Sequence, residues 1–291
     1  MRTQIIVNGS RRKALKRALD LNSRLNDSLV LETKHQGHAL ELAERACGQC
    51  ELLVSVGGDG MLHEVVNGVM KQPDFDLRPA IAVLKAGTGN DFARNLSYSS
   101  FPELLAKAIR EGNFGKLDLG LIQHGNGESI YLVNAMDAGF GYDTVFRIRK
   151  TPALVPRPLV FPIGILSTFL TYKASELECI ADNFHFSGKC LTAVVANGPW
   201  FGGGIGIAPE AQLNDGYLDL TIVGNVGMTD FLRHLPALKK AEKINHPEVI
   251  YIKTKEVKLI GKGGFEVDGE LPVFSLPVHI KVVPSAVKLL V

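Results

Sequence analysis

The chain has 291 residues, of which 46% are hydrophobic and 21% charged, and its formal net charge is +2 at pH 7. A chain of this length buries a real core in one large or two medium domains, and so small a net charge gives no case for binding to nucleic acid. The first ten residues lack the apolar core of a signal peptide, and the most apolar stretch, Leu159 to Leu170, is too short to cross a membrane and is interrupted by Pro162. We therefore expect a cytoplasmic protein without a transmembrane segment.

In the first 120 residues, short apolar runs alternate with amphipathic stretches. The runs predict strands at Gln4 to Asn8, Ser28 to Leu31, Leu52 to Val56 and Ala80 to Leu84, and the stretches predict helices at Ser10 to Leu25, His38 to Ala46 and Met61 to Met70. Alternation of this kind indicates a parallel sheet covered by helices on both faces.

The pattern changes near Asp118, where alternation of period two and glycine turns begin. Strands are predicted at Ser129 to Asn134, Cys190 to Ala196, Tyr217 to Val223, Glu248 to Lys253 and Val257 to Ile260, with apolar helices at Leu159 to Lys173 and Met228 to Leu238. The second half is therefore expected to be mostly antiparallel β.

The most informative stretch runs from Leu52 to Gly68, where a buried strand leads into Gly57-Gly58-Asp59-Gly60 and then a helix. Glycines let a backbone approach a ligand closely, and N–H groups at a helix start hold phosphate oxygens. Asp59 suits a carboxylate that acts through Mg²⁺ or on a hydroxyl proton. A tight strand-to-helix turn without a ligand is the structural alternative.

Spacing excludes two common phosphate-binding motifs. A dinucleotide fingerprint needs G-x-G-x-x-G or a terminal alanine, but His63 stands at the third position after Gly60. The P-loop pattern G-x-x-x-x-G-K-[ST] occurs nowhere in the chain.

A second loop, Lys85 to Arg94, follows the fourth predicted strand and carries Gly87, Thr88, Asn90 and Asp91. The carboxyl edge of an open α/β sheet is where ligands bind. Two such loops on neighbouring strands predict one phosphate site.

Cys47 and Cys50 form a C-x-x-C, which is compatible with redox chemistry or with half of a zinc site. Zinc needs about four ligands, and Cys179 and Cys190 lack matching spacing. We expect ordinary thiols at a helix end, as in a reducing compartment.

These motifs, in this order, resemble the diacylglycerol kinase catalytic superfamily, which includes bacterial lipid kinases and sphingosine kinases. The first loop resembles its G-G-D-G-x-x-x-E-V signature and Gly87 to Arg94 its G-T-x-N-D-F-A-R segment. Later matches are Asn134 to Asp143, Asn197 to Gly204, Ala208 to Ala211, Asn214 to Asp219 and Val267 to Glu270. The resemblance spans nearly the whole chain.

The resemblance implies an α/β-plus-β fold of the two-domain diacylglycerol kinase/NAD kinase type. Residues 1–117 would form a parallel α/β nucleotide-binding domain, to which residues about 279–291 return. Residues 118–278 would form a β-rich domain that contributes to the lipid site and the catalytic base.

The resemblance further implies an enzyme that uses ATP and Mg²⁺ to phosphorylate a lipid hydroxyl at a membrane surface, with the enzyme peripheral to that membrane. The residues expected to contact nucleotide are Thr33, Gly57, Gly58, Asp59, Gly60, Met61, Leu62, His63, Glu64, Gly87, Thr88, Asn90 and Asp91. Diacylglycerol, phosphatidylglycerol and a sphingoid base all remain open as the acceptor.

Phosphoryl transfer needs positioning, charge neutralisation and help for the attacking hydroxyl. Asp59, Asp91 and Asp118 are candidates for the surroundings of the active metal. The resemblance places the base at Glu270, with Asp59 and Asp268 as rivals. It also implies a structural Mg²⁺ held by Gln212, Asp215 and Tyr217, for which an Asn-Asp-Gly turn without an ion is the alternative.

The chain departs from the family pattern at three points. Met61 follows G-G-D-G where many members have threonine, Lys85 stands where proline is usual, and Asn8 to Arg12 replaces the usual N-P-x-x-G. Two other functions stay open at this stage. An NAD kinase shares the G-G-D-G logic but is not expected to carry the Gly87 to Arg94 segment, and a catalytically silent nucleotide or lipid sensor is not expected to retain Asp59 and Glu270.

Overall fold

The computed structural model describes residues 1–151 and 155–291, except for the side chains of residues 157 and 158. The chain forms two compact units. The N-terminal unit comprises Met1–Asp118 and Pro284–Val291, and the C-terminal unit comprises Leu119–Val283.

The N-terminal unit alternates strands and helices. In chain order its elements are β1 (Thr3–Val7), α1 (Arg12–Asn22), β2 (Ser28–Glu32), α2 (His38–Ala46), β3 (Leu52–Gly57), α3 (Asp59–Met70), β4 (Ala80–Lys85), α4 (Pro102–Glu111) and the start of β5 (Phe114–His124). Single 3₁₀ turns lie at Phe75–Leu77, Phe92–Asn95 and Ser97–Ser100.

The C-terminal unit is mostly β. After β5 come β6 (Ser129–Leu132), β7 (Ala135–Gly139), α5 (Phe140–Arg149), α6 (Arg157–Phe169), β8 (Ser175–Ala181), β9 (Phe184–Cys190), β10 (Thr192–Ala196), β11 (Trp200–Phe201), β12 (Ile205–Gly206), β13 (Leu218–Val223), α7 (Met228–Leu238), β14 (Val249–Thr254), β15 (Glu256–Gly261), β16 (Glu266–Val267) and β17 (Val278–Leu290). The last part of β17 belongs to the N-terminal unit.

In the N-terminal unit, β2, β1, β3 and β4 lie side by side in that order and are all parallel, and the end of β17 joins β4 at Leu289 and Ile81. Every residue of β3 is buried, which agrees with helices on both faces. On one face α2 and α3 meet closely, since a Cβ on Gly68 would lie 2.3 Å from the carbonyl oxygen of Leu40. Only glycine fits at that position without moving a helix.

In the C-terminal unit, one antiparallel sheet has the order β14-β13-β10-β7-β16, and a second path runs β17-β15-β8-β9. Their apolar side chains share one core, in which Met136, Val195, Leu220, Leu259 and Phe265 are almost fully buried. The predicted fold class, a parallel α/β part followed by a β-rich part, is confirmed.

Several boundaries differ from the prediction. Helix α3 begins at Asp59 rather than Met61, so Asp59 and Gly60 form its first turn. The predicted strand from Cys190 to Ala196 is interrupted at Leu191, where β9 ends and β10 begins. Strand β7 lies within the Asn134 to Asp143 segment, and helix α5 begins there and extends to Arg149. The sequence periodicity predicts neither element.

None of the helices in the described ranges combines the length and the apolar character needed to cross a bilayer.

Candidate active site

The two glycine loops of the N-terminal unit touch each other through their backbones. Strands β3 and β4 are parallel neighbours with Gly57 in register with Lys85, and the N–H of Ala86 donates to the carbonyl of Gly57 at 2.6 Å. A Cβ added to Gly87 would lie 2.3 Å from Cα of Gly58. The approach is possible only because both positions are glycine.

The second loop is closed by the side chain of Asn90. Its Oδ1 accepts the N–H of Gly87 at 2.8 Å, and its Nδ2 donates to the carbonyl of the same residue at 3.0 Å. Asn90 has a φ of 56°, a left-handed conformation that asparagine tolerates better than most residues. This ring presents the exposed Thr88 at its tip.

The carboxylates of Asp59, from the first loop, and of Asp91 flank Gly89 of the second loop. Oδ1 of Asp59 accepts the N–H of Phe92 at 3.1 Å, while Oδ2 of Asp59 lies 3.1 Å from the place that a Cβ on Gly89 would occupy. Oδ2 of Asp91 lies 3.6 Å from the same place, and Nε of Arg94 donates to Oδ1 of Asp91 at 3.3 Å. A side chain at Gly89 would therefore crowd the space beside both carboxylates.

This arrangement fits a magnesium ion that is bound together with a nucleotide. Mg²⁺ in phosphate-handling sites takes one or two carboxylates and completes its shell with water and phosphate oxygens. Within the described part of the chain, no group of three or more histidine, cysteine or acidic side chains forms a metal cage of its own. Asp118 is buried and accepts the N–H of Ser285 at 2.6 Å, which fastens the C-terminal segment within its unit.

The remaining residues of the first signature differ in what they can offer a ligand. The first turn of a helix leaves its N–H groups without intrahelical acceptors, so Gly60 and Met61 at the start of α3 can offer backbone donors. The side chains of Leu62 and His63 are buried. Contact of these two positions with nucleotide would therefore involve their backbone.

The carboxylate of Glu64 accepts hydrogen bonds from the start of the neighbouring helix α2. Its Oε1 accepts the N–H of Gly37 at 2.9 Å and its Oε2 accepts the N–H of Ala39 at 3.1 Å, so it caps the N-terminus of α2. Thr33, which precedes this helix, accepts the N–H of Gly9 at 3.4 Å through Oγ1. The glutamate of the signature thus shapes the loop that carries Thr33.

In the C-terminal unit, Asp268 and Gly269 form a two-residue hairpin turn with φ values of 52° and 84°. Val267 and Glu270 exchange backbone hydrogen bonds of 2.9 and 2.8 Å across it. The buried carboxylate of Asp268 accepts the N–H groups of Val133, Asn134 and Ala135 at 3.0, 2.8 and 3.1 Å. Asp268 therefore joins the turn to the end of β6 and the start of β7.

Glu270 is partly exposed and is oriented by an arginine. Its Oε2 accepts a hydrogen bond from Nη2 of Arg149 at 2.5 Å, and the same nitrogen donates to the carbonyl of Gly269 at 3.3 Å. The buried Glu266 accepts the N–H of Gly269 at 2.7 Å. Of the rival bases, Glu270 is thus partly open to solvent, whereas Asp268 is enclosed by backbone donors.

In the Gln212 to Tyr217 turn, the carboxylate of Asp215 pairs with a lysine side chain. Oδ1 of Asp215 accepts the N–H of Tyr217 at 3.1 Å, Oδ2 lies 2.5 Å from Nζ of Lys253, and Gly216 has a φ of 78°. The hydrogen bond to Asp215 raises the pKa of Lys253. Lys253 already neutralises the carboxylate, so this donor set does not fit a second magnesium ion unless the lysine moves. The metal at Gln212, Asp215 and Tyr217 stays a prediction.

Three residues that support the candidate site residues within their own unit were not found from the sequence. Arg17 donates to the carbonyls of Lys85 and Ser100 and so holds the start of the second loop. Arg149 and Glu266 support the Glu270 turn. Arg17 and Arg149 act on groups far away in the chain, which no local motif marks, whereas Glu266 lies only three positions before Gly269.

Two family profiles match the chain and together cover most of it. The diacylglycerol kinase catalytic domain matches residues 3–122, and the YegS C-terminal NAD kinase beta sandwich-like domain matches residues 137–291. A diacylglycerol kinase of Bacillus subtilis (strain 168) is 30% identical over 224 residues, which cover 74% of this chain and 69% of that protein.

The chain belongs to the diacylglycerol kinase catalytic superfamily. It is accordingly a kinase that transfers phosphate to an alcohol group. Another relative, the diacylglycerol kinase of Staphylococcus haemolyticus (strain JCSC1435), is 29% identical over 245 residues, covering 82% of this chain and 71% of that protein.

Solved structures of other proteins share the fold. A putative diacylglycerol kinase from Bacillus anthracis superposes with a TM-score of 0.78 at 22% identity and covers 99% of this chain and 96% of its own. An NAD kinase from Archaeoglobus fulgidus in complex with ATP has a TM-score of 0.56 at 13% identity and covers 100% and 94%. At these identities the likeness concerns the fold alone.

Proposed function

We propose that this chain transfers the γ-phosphoryl group of ATP to a hydroxyl group of a membrane lipid, in a reaction that requires Mg²⁺. The observation that carries the proposal is the pair of glycine loops that touch backbone to backbone, with Asp59 and Asp91 flanking Gly89. The names of the relatives support a diacylglycerol-like acceptor, with phosphatidylglycerol and a sphingoid base as the alternatives.

In this proposal the N-terminal unit binds the nucleotide phosphates. Backbone N–H groups at the start of α3 and around Gly87 and Thr88 offer donors to phosphate oxygens. Asp59 and Asp91 would hold the magnesium ion, whose chemistry is to neutralise negative charge on the transferred phosphoryl group. Thr33 would contact nucleotide from the loop that Glu64 caps.

Glu270 is proposed as the general base that takes the proton of the attacking hydroxyl. A base has to accept a proton from a substrate group within hydrogen-bond reach, so its carboxylate has to be both accessible and held in one direction. Glu270 is partly exposed and is oriented by Arg149. Asp268 meets the second requirement only, because three backbone N–H groups surround its oxygens.

The direct test is incubation of the purified chain with Mg²⁺ and radiolabelled ATP, using extracted lipids and, separately, NAD as acceptors. We expect label in a lipid, identified by mass spectrometry, and none in NAD. Label in NAD would show the NAD kinase alternative to be correct. Tight ATP binding without transfer to either acceptor would favour the silent sensor.

The matched variants are Asp59→Asn and Asp20→Asn, the latter on the exposed face of α1. Asp59→Asn keeps the shape but removes the charge, and we expect turnover to fall by roughly a hundredfold or more, as for loss of a catalytic electrostatic group. Asp20→Asn should leave turnover unchanged. If the two variants were equally active, the assignment of Asp59 would be wrong.

A further inference from the structure

The exposed side of helix α6 is made of apolar side chains. Among its described side chains, the exposed ones are Leu159, Pro162, Ile163 and Leu166. Leu170, the residue that follows the last turn of α6, is 77% exposed. Apart from Pro162 these positions are spaced by four, three and four residues, so they lie along one face of the helix. We call Leu159, Ile163, Leu166 and Leu170 the α6 stripe.

The opposite side of α6 includes Gly164, Thr168 and Phe169 and packs against α5. A Cβ on Gly164 would lie 2.7 Å from Cγ1 of Ile148, which shows how closely the two helices approach. Thr168 is fully buried, and its hydroxyl donates to the carbonyl of Gly164 at 2.8 Å and accepts a hydrogen bond from Thr144 at 3.1 Å. A surface helix normally exposes polar side chains, whereas α6 exposes an apolar stripe.

Aromatic contacts fix α6 in this orientation. The ring of Phe169 lies 4.4 Å from that of Phe140 on α5 and 5.2 Å from that of Phe231 on α7. The exposed stripe is therefore not the result of a helix free to rotate. It faces outward because the other side is occupied.

The surrounding charge is positive. Residues 144–175 contain no aspartate or glutamate, and of their cations Arg147 pairs with Asp143 and Arg149 pairs with Glu270. Lys150 and Lys173 are exposed, and Lys150 lies over the ring of the half-exposed Phe146 at 3.9 Å. A second copy of this chain docking here through the same surface would bring like charges together, whereas an anionic lipid surface offers charges of the opposite sign.

We propose that the α6 stripe, with Lys150 and Lys173, is the surface by which this kinase docks on anionic membranes. At about 1.5 Å per residue, the thirteen residues of α6 measure about 20 Å, so the helix lies in the interface rather than across it. The inference rests on the proposed lipid kinase function. It adds that α5, the helix under the stripe, ends in Arg149, which holds Glu270.

Binding is measured without ATP, by sedimentation of the full chain with phosphatidylcholine vesicles that do or do not contain phosphatidylglycerol. We expect binding to the anionic vesicles, weaker binding to the neutral ones and weaker binding at high salt. The double variant Leu166→Glu, Leu170→Glu should bind at least about tenfold more weakly, since it removes apolar contact and adds negative charge. Lys150→Gln and Lys173→Gln should each cost roughly fivefold.

The matched control is Leu19→Glu on α1, because Leu19 is 52% exposed and Leu166 is 51% exposed. It should bind vesicles like the wild type. Equal vesicle binding by the Leu166→Glu, Leu170→Glu double variant and the Leu19→Glu control would overturn the proposal. A dimer that forms without vesicles and that Leu166→Glu dissociates would overturn it too, in favour of a second copy as the occupant.

Turnover on a short-chain lipid dispersed in detergent separates this surface from the chemistry. The double variant should keep wild-type turnover there, because no membrane has to be reached. If the wild type showed no turnover on that lipid while its vesicle binding still depended on the stripe, the proposed kinase function would fail and the docking surface would stand.

Discussion

Asp268 and Glu270 stand two positions apart in one turn, yet their carboxylates have different surroundings. Asp268 is buried and accepts three backbone N–H groups, while Glu270 is partly exposed beside Arg149. Removing the charge should therefore lower the stability of the fold at Asp268 and the turnover of the enzyme at Glu270.

Asp268→Asn places an amide N–H group among backbone donors, so we expect it to lower the free energy of unfolding by about 2–3 kcal/mol, as for hydrogen bonds to a charged group. Glu270→Gln should leave that free energy within about 0.5 kcal/mol and lower turnover without weakening ATP binding. Urea unfolding and steady-state kinetics measure both. Loss of ATP affinity in Glu270→Gln would instead assign the residue to the phosphate site.

Asp137 is a buried carboxyl group that the proposed reaction does not use. It lies on β7, accepts the N–H of Gly141 at 3.1 Å and pairs in register with the buried Glu266. Burial raises the pKa of Asp137 to about 7, against the opposing effect of hydrogen bonds from Thr192, Gly141 and Tyr142. In the unfolded chain the same group ionises near pH 4, at about its reference pKa.

Between roughly pH 4 and pH 7 the folded state therefore binds one proton more than the unfolded state, so its stability falls as pH rises through this window and the loss is complete above it. Asp137→Asn removes the titration. We expect the wild type to lose on the order of a few kcal/mol relative to this variant between about pH 5 and pH 8. Parallel pH profiles of unfolding free energy for the two proteins would contradict the raised pKa.

At the scale of elements, the contact between α2 and α3 links the signature helix to the Thr33 loop. Glu64 on α3 supplies both oxygens to the first N–H groups of α2, and Gly68 allows the two helices to approach. The start of α2 is thus positioned by the helix that begins at Asp59.

Glu64→Ala removes this cap and should lower the free energy of unfolding by about 1–2 kcal/mol. Because the Thr33 loop loses its support, we expect the KM for ATP to rise more than kcat falls. Glu44→Ala is the control on α2, since it breaks only an exposed ion pair with Lys71, which is worth little. An unchanged KM in Glu64→Ala would show that Thr33 does not depend on the cap.

The Gln212 to Tyr217 turn provides a test for a structural metal. If Mg²⁺ binds there, added Mg²⁺ should raise the melting temperature of the wild type more than that of Asp215→Ala, because the carboxylate is the only charged ligand offered by Gln212, Asp215 and Tyr217. Since Lys253 already pairs with Asp215, Lys253→Met should strengthen the Mg²⁺ effect. Equal stabilisation of all three proteins would rule out the site.

At the scale of the whole molecule, the last eight residues complete a unit that the first 118 residues begin. The hydroxyl of Tyr98 donates to the carbonyl of Leu290 at 2.8 Å, and Arg78 donates to that of Ala286 at 3.0 Å. The buried apolar side chains that this segment brings are Ala286, Val287, Leu289 and Leu290.

Truncation after Val283 would remove these side chains from the core of the N-terminal unit. At about 1.5–3 kcal/mol for each large buried apolar side chain, we expect the unit to lose its stable fold, seen as rapid proteolysis of residues 1–118. Removal of the exposed Val291 alone is the control and should change the proteolysis rate little. Wild-type resistance in the long truncation would show that the segment is dispensable.

The sequence by itself determined the elements and loops that depend on neighbouring residues. Periodicity and turn chemistry placed β3, α2 and β4 to within one residue, and glycine spacing located both glycine loops. These signals are local, because a helix repeat, a buried run or a glycine turn acts over a few positions of the chain. The order of the motifs along the chain likewise indicated the family and the fold class.

The tertiary structure alone decided which charged groups act on which partners. Asp268 accepts N–H groups from residues 133 to 135 positions earlier, Glu64 caps a helix 25 to 27 positions earlier, and Arg149 reaches Glu270 across 121 positions. It also decided that α6 exposes an apolar stripe, since an apolar sequence pattern is the same for a helix in a core and for one on a surface. Such pairings depend on how sheets and helices pack, and no local pattern encodes them.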